Sequence, residues 1–199
     1  MTQTSTRYSK TAVILHWLIA IFIVLMFSLG WFMADLPKDG PKQMAYDLFD
    51  LGIYTWQLTE EASPRTFYFN LHKSLGLTAL ALIALRILWR ITHTPPAPLS
   101  SYKAIEKKIA TATHHALYLL MLAVPVTGLI MAVNSKYGVK WFGVDLIAGL
   151  DNKPVRDFFE HTHELVGLVL LALIVIHLLG ALKHQFIDKD ETMSRMRLK

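Results

Sequence analysis

Nine histidines and no cysteine stand among the 199 residues. Without thiolates, disulfides, iron–sulfur clusters and thiolate zinc sites are excluded, and imidazole becomes the most versatile ligand left. His16, His72, His163 and His177 fall inside or at the rim of long apolar stretches. An ionisable side chain in such a place is costly, and by default it marks function. His163 and His177 are fourteen residues apart. In an α-helix that separation is about 1400°, roughly 40° short of four turns, with a rise of about 21 Å. Both therefore share one helix face at two depths. His16 matches the depth of His177, and His72 matches that of His163.

Two depth-matched pairs suit bis-histidine haem, which needs an imidazole on each side of the iron from two different helices. On this reading His16 and His177 hold an inner haem iron, and His72 and His163 an outer one. Any one of these histidines alone could instead be an interhelical hydrogen-bonding residue. A proton or metal pathway would bring carboxylates into the membrane. Here only Glu164 comes near, at the end of a span. Haem is the better reading.

Four elements must position these ligands. Apolar residues make up 53% of the chain and charged residues 18%, which is too greasy for an ordinary soluble enzyme. Spans of about 20 apolar residues are expected at about 11–33, 70–91, 112–133 and 161–183, with outer loops at 34–69 and 134–160. The fold expected is an all-α membrane protein, a single four-helix transmembrane bundle over residues 1–199. Arg7 and Lys10 precede a first span too long for a signal-peptide core, so it is read as retained. Pro125 and Gly128 in the third span are tolerable where neighbours re-satisfy the freed backbone.

The N-terminus, the 86–108 region and the tail hold twelve Lys/Arg and four acids; the other connections hold eight and eleven. The positive-inside rule then makes both termini cytoplasmic. The net charge of +5 is explained by those ends, so nucleic acid is not expected as a partner. Trp17, Trp31, Trp89 and Trp141 lie near span ends, as interfacial aromatics do. Met44, Leu48 and Leu51 at helical spacing predict a short amphipathic helix within Gln43–Leu58. Asp151-Asn152-Lys153-Pro154 reads as a helix start, so the last helix is expected to begin near Pro154.

The remaining histidines divide by position. His114 and His115 lie near the cytoplasmic start of the third span. His184 follows His177 by seven residues, about 20° off its face, so spacing alone leaves it open as the inner ligand. His161 points about 160° away from His177, and His93, before Pro95-Pro96, reads as a solvated loop residue. Arg86 and Arg90 admit two readings, snorkelling to the interface or pairing with haem propionates.

These residues resemble the prokaryotic cytochrome b561 family along nearly the whole chain. The likeness runs through Leu15-His16-Trp17-Leu18, Leu71-His72-Lys73-Ser74-Leu75-Gly76 and Arg86-Ile87-Leu88-Trp89-Arg90 leading to Pro95-Pro96. It continues with His114 four residues before Tyr118, His163-Glu164 and His177, and the tail from Lys183 to Asp190. The resemblance implies a bacterial inner-membrane protein with two b haems, each held by the last helix and by the first or second. It also implies electron transfer to a quinone, ubiquinone or menaquinone, with superoxide as the donor in some stand-alone members.

The function expected is therefore transmembrane electron transfer from a periplasmic donor, superoxide or a redox protein, to membrane quinone. That would make the chain an oxidoreductase similar to a superoxide:quinone oxidoreductase, embedded in lipid and able to form homo-oligomers. A net negative outer side repels an anion such as superoxide at long range, with Lys153 and Arg156 a local offset. His114, His115 and His184 are the candidate quinone-site residues. The alternatives are a haem-carrying anchor subunit of a larger complex and a histidine-lined metal carrier.

Overall fold

A computed structural model describes residues 7–99 and 101–198. Four long helices dominate it: α1 (Lys10–Asp35), α2 (Pro64–Thr92), α3 (Ala104–Val133) and α4 (Lys153–Lys183). All four are long and apolar enough to cross a membrane. The shortest, α1, has 26 residues, about 39 Å of helix against a hydrocarbon core of about 30 Å. Apolar side chains such as Ile21, Val24, Leu168, Leu178 and Leu179 stay exposed along them. In water such surface would be a liability; in lipid it is the required solvent-facing side.

The helices outrun the apolar runs because their ends are capped by polar residues. At the start of α2, Ser63 Oγ accepts the Thr66 amide at 3.2 Å, and Pro64 occupies the first position, where its missing N–H costs nothing. Helix α3 opens eight residues before the apolar run, with Glu106 accepting the Lys103 amide at 2.9 Å. In α4, Asn152 Oδ1 accepts the Val155 amide at 3.4 Å. The three C-terminal carbonyls of Met33, Ala34 and Leu36, at and just beyond the end of α1, receive Arg65 Nη1 at 3.2, 2.8 and 2.8 Å. A cation there also opposes the negative end of the helix dipole.

Two short hairpins join these helices, and the fold is mostly helical, as expected. The first pairs β1 (Gln43–Asp47) with β2 (Thr55–Ala62), antiparallel. It replaces the amphipathic helix expected at 43–58. Met44 and Leu51, two of the three residues in that apparent stripe, are exposed. The residues that face inward follow a period of two: Trp56 and Leu58 pack on a core of Leu29, Tyr46, Phe67 and Tyr68. Phe49, Asp50 and Gly52 adopt positive φ, and Asp47 Oδ2 accepts the Gly52 amide at 2.6 Å. A β-rich stretch with a left-handed turn outweighs three helically spaced apolar residues. The second hairpin pairs β3 (Val139–Trp141) with β4 (Val144–Ile147). Its two-residue turn, Phe142-Gly143, has φ of 47° and 92°, the positive pair that matches strand twist.

The chain divides into two compact units. One gathers the residues up to Ala20, Leu80–Thr127 and those from His161 onward; the other gathers Ile21–Ala79 and Gly128–Glu160. In the second unit, β3–β4 is tied to α2. Buried Ser74 accepts the Phe142 amide at 2.9 Å, Lys73 Nζ donates to the Gly138 carbonyl at 3.2 Å, and Trp141 Nε1 donates to Thr78 Oγ1 at 3.2 Å. Beyond α4 in the first unit, the tail forms a π turn at His184–Asp188 and a 3-10 turn at Met193–Met196.

Candidate functional site

In the first unit, α1 and α4 bring His16 and His177 face to face. Their ring centroids lie 6.3 Å apart with planes at 78°. The helices differ in sequence position by more than 150 residues, yet the two imidazoles meet, as their matched depth requires. His114 on α3 approaches the same ring of His177 at 5.5 Å while staying exposed. Three helices thus converge three imidazoles on one spot.

The remaining long helix, α2, contributes an arginine. Arg86 Nη1 donates to the Ala12 carbonyl at 3.1 Å, and Nη2 lies 3.4 Å from His16 Nδ1. Its guanidinium sits 5.7 Å over the Tyr118 ring, a cation–π distance. Arg86 is therefore directed into the helix group and does not snorkel. Arg90, by contrast, is exposed.

His163 is oriented from behind. Its Nδ1 lies 2.9 Å from the Val124 carbonyl and 3.3 Å from Thr127 Oγ1. Donation from Nδ1 to a carbonyl leaves the lone pair on Nε2, the tautomer a metal ligand needs. His72 belongs to the second unit, where Cε1 passes Gly30 of α1 so closely that a β-carbon there would touch it at 3.6 Å. A second glycine on α2, Gly76, gives room in the same way to Met26.

The other histidines are sorted by the structure. His115 turns away from His177: its Nδ1 donates to the Thr111 carbonyl at 2.9 Å. His184 is held by Asp190 at 2.7 Å and Asp188 at 3.1 Å through Nδ1, with Tyr102 stacked on its ring at 4.8 Å. His161 is exposed, and exposed His93 stacks on Trp89 at 3.7 Å. Of the three candidate quinone residues, only His114 touches the His16–His177 group.

Sequence reasoning missed the surroundings of His184. Tyr102 also meets Thr192 through a short hydroxyl–hydroxyl hydrogen bond. Burial pushes the Tyr102 phenol up from its ordinary value. Burial also works to raise Asp190, but hydrogen bonds from Thr192 and His184 outweigh it and hold the carboxyl below the usual range. The one sequence signal was local, two aspartates four and six residues after a histidine.

A mostly helical membrane protein with imidazoles converging between its long helices is the arrangement expected of a membrane cytochrome. Residues 7–198 match the family described as prokaryotic cytochrome b561, and the chain belongs to that family. It is 35% identical to "Cytochrome b561 homolog 2" of Escherichia coli (strain K12), over 98% of this chain and 93% of that protein. It is 24% identical to "Probable superoxide oxidase CybB" of Yersinia pestis, over 96% and 95%. With "Cytochrome b562" of Cereibacter sphaeroides it shares 26% identity, over 98% of each. The chain is a multi-pass, haem-binding membrane protein of electron transport.

The residues present fit a b-type haem. Two imidazoles from different helices, facing one another, are the residues that would hold such a group. His16 and His177 stand at 6.3 Å. The donor set is neutral nitrogen with an arginine beside it, the chemistry that suits iron carrying an anionic macrocycle with propionates.

Proposed function

We propose that the chain carries electrons across the bacterial inner membrane, from a periplasmic donor to membrane quinone, using two b haems. His16 and His177 would hold the inner one, and His72 and His163 the outer one, by the depth pairing of the sequence. The bound haem supplies the one-electron chemistry itself. The protein's residues bind, orient and tune. Arg86, reaching the His16 ring, is placed to neutralise a propionate and to favour reduction by its charge; exposed Arg90 is the second propionate candidate. Both termini face the cytoplasm in this reading, which the distribution of Lys and Arg supports.

The observation that carries the reading is the 6.3 Å approach of His16 and His177. His114, exposed and 5.5 Å from His177, supports quinone contact on the same side: one ring nitrogen can hydrogen-bond a carbonyl while water reaches the other. His184, fixed by Asp190 and near the aqueous tail, is suited to hold a proton for the reduced product. The donor is superoxide or a small redox protein, and the relative named as a probable superoxide oxidase favours the first. The acidic outer loops favour a basic protein by charge.

The test uses the purified chain alone. Dithionite-reduced protein mixed with a quinone analogue should reoxidise within the mixing experiment, without any other subunit. Persistent reduction would leave a haem-carrying anchor that needs its partner. Addition of a superoxide-generating system to oxidised protein then separates the donors: reduction identifies superoxide, and none points to a redox protein.

A further inference from the structure

We propose that the exposed face at the N-terminal end of α3 binds one anionic phospholipid, its phosphate held by Lys107, Lys108 and His115. A shallow groove of about 370 Å³ lies there, lined by Lys107, Lys108, Thr111, Ala112 and His115. The spacing explains the groove. Lys108, Ala112 and His115 lie within about 40° of one direction on the helix, and so do Leu119 and Leu122 further on. Small Ala112 leaves the floor open between the basic residues.

The charge has no internal counterweight. Among the described residues, neither Lys107 nor Lys108 forms an ion pair. The nearest acid in sequence, Glu106, is engaged by Lys183 Nζ at 3.2 Å and by the Lys103 amide at 2.9 Å. His115 uses Nδ1 on the Thr111 carbonyl, so Nε2 is the nitrogen it can offer a ligand. An anion is what this set lacks.

What distinguishes a lipid from a free anion is the rest of the stripe. Ile105 and Ile109 flank the groove and are 60% and 57% exposed; Leu119 is 68% exposed. From Lys108 to His115 the helix rises about 10 Å, and from His115 to Leu122 about 10 Å more. A basic end followed by an open apolar track has the polarity and length of a headgroup with the first part of its acyl chains. Basic recesses at membrane-helix ends hold anionic headgroups in this way. Nothing in the inference depends on haem or quinone.

The test is native mass spectrometry of the full chain in neutral detergent, titrated with phosphatidylglycerol or phosphatidylcholine. The chain should retain one phosphatidylglycerol and not phosphatidylcholine, and excess inorganic phosphate should not displace it. Lys107→Gln with Lys108→Gln should weaken retention about thirtyfold, and Lys107→Arg with Lys108→Arg should restore it. Leu119→Gln should weaken it as well, since it spoils the acyl track. Equal retention of both lipids, or an unchanged phosphatidylglycerol complex in the glutamine variant, would overturn the proposal. Displacement by inorganic phosphate would overturn it too, by making the groove a free-anion site.

Discussion

His163 Nδ1 stands 2.9 Å from the carbonyl oxygen of Val124, the residue just before Pro125. A proline at 125 withdraws one amide from the ladder of α3, and Thr127 bends its hydroxyl back to the Ala123 and Val124 carbonyls at 2.9 and 2.8 Å. The Val124 carbonyl fixes the histidine in one tautomer, with Nδ1 donating and the lone pair on Nε2.

If His163 and His72 serve the same iron, removing either should have the same effect. His72→Ala and His163→Ala should each lose one of two haems and leave the spectrum of the other nearly unchanged. Haem-to-protein ratios of the two purified variants check this. Full loading of either variant, or loss of different spectral components, contradicts the pairing.

His114 and His115 are neighbours in sequence with opposite expectations. His114→Ala should keep both haems yet slow reoxidation by a quinone analogue about tenfold, the worth of one lost hydrogen bond. His115→Ala should leave that rate unchanged, since its ring faces the Lys107–Lys108 groove. Stopped-flow traces at matched haem content decide. Loss of a haem in His114→Ala would make His114 an axial ligand instead.

The tail carries a pH dependence. Asp190 has its carboxyl held below the ordinary value of about 3.9 by Thr192 and His184, against the effect of burial. Its contribution to docking the tail is fully present above that ordinary value, and it disappears as pH falls through the lower folded value. Protection of the 184–196 amides, corrected for the intrinsic pH dependence of exchange, should therefore be high at neutral pH and fall at strongly acid pH. Asp190→Asn should make exchange fast already at pH 7. Equal protection in both proteins at pH 7 would show that Trp17, which binds the Met196 carbonyl at 3.0 Å, holds the tail by itself.

Orientation follows from the basic ends. A reporter fused after Lys199 should behave as cytoplasmic, and one inserted at the exposed Gly52 turn should behave as periplasmic. The reverse pattern would invert the protein and move the quinone side.

The four helices were legible because 20-residue apolar runs permit little else. The start of the last helix near Pro154 was legible too, since α4 opens at Lys153; the starts of α2 and α3 were not, because Ser63 and Glu106 extend them into polar sequence by capping. The 43–58 segment misled for a physical reason: Met44, Leu48 and Leu51 have helical spacing, but the packing that decides comes from Tyr46, Trp56 and Leu58 against α1 and α2. The depth of His16 and His177 could be counted along the chain, so their meeting was legible. The setting of His184 was not, because Tyr102 stacks on it from 82 residues away. Arg86 could be read either way from sequence; only the reach to Ala12 and His16 decides that it turns inward.

The central claim is that paired histidines in this bundle hold two b haems. Quantifying haem per chain by the pyridine haemochrome method, with a reduced-minus-oxidised spectrum of the same sample, tests it most directly. The account predicts two haems per chain with low-spin b-type bands, falling to one in His16→Ala. A single haem in the unaltered chain, or a high-spin spectrum, would contradict it.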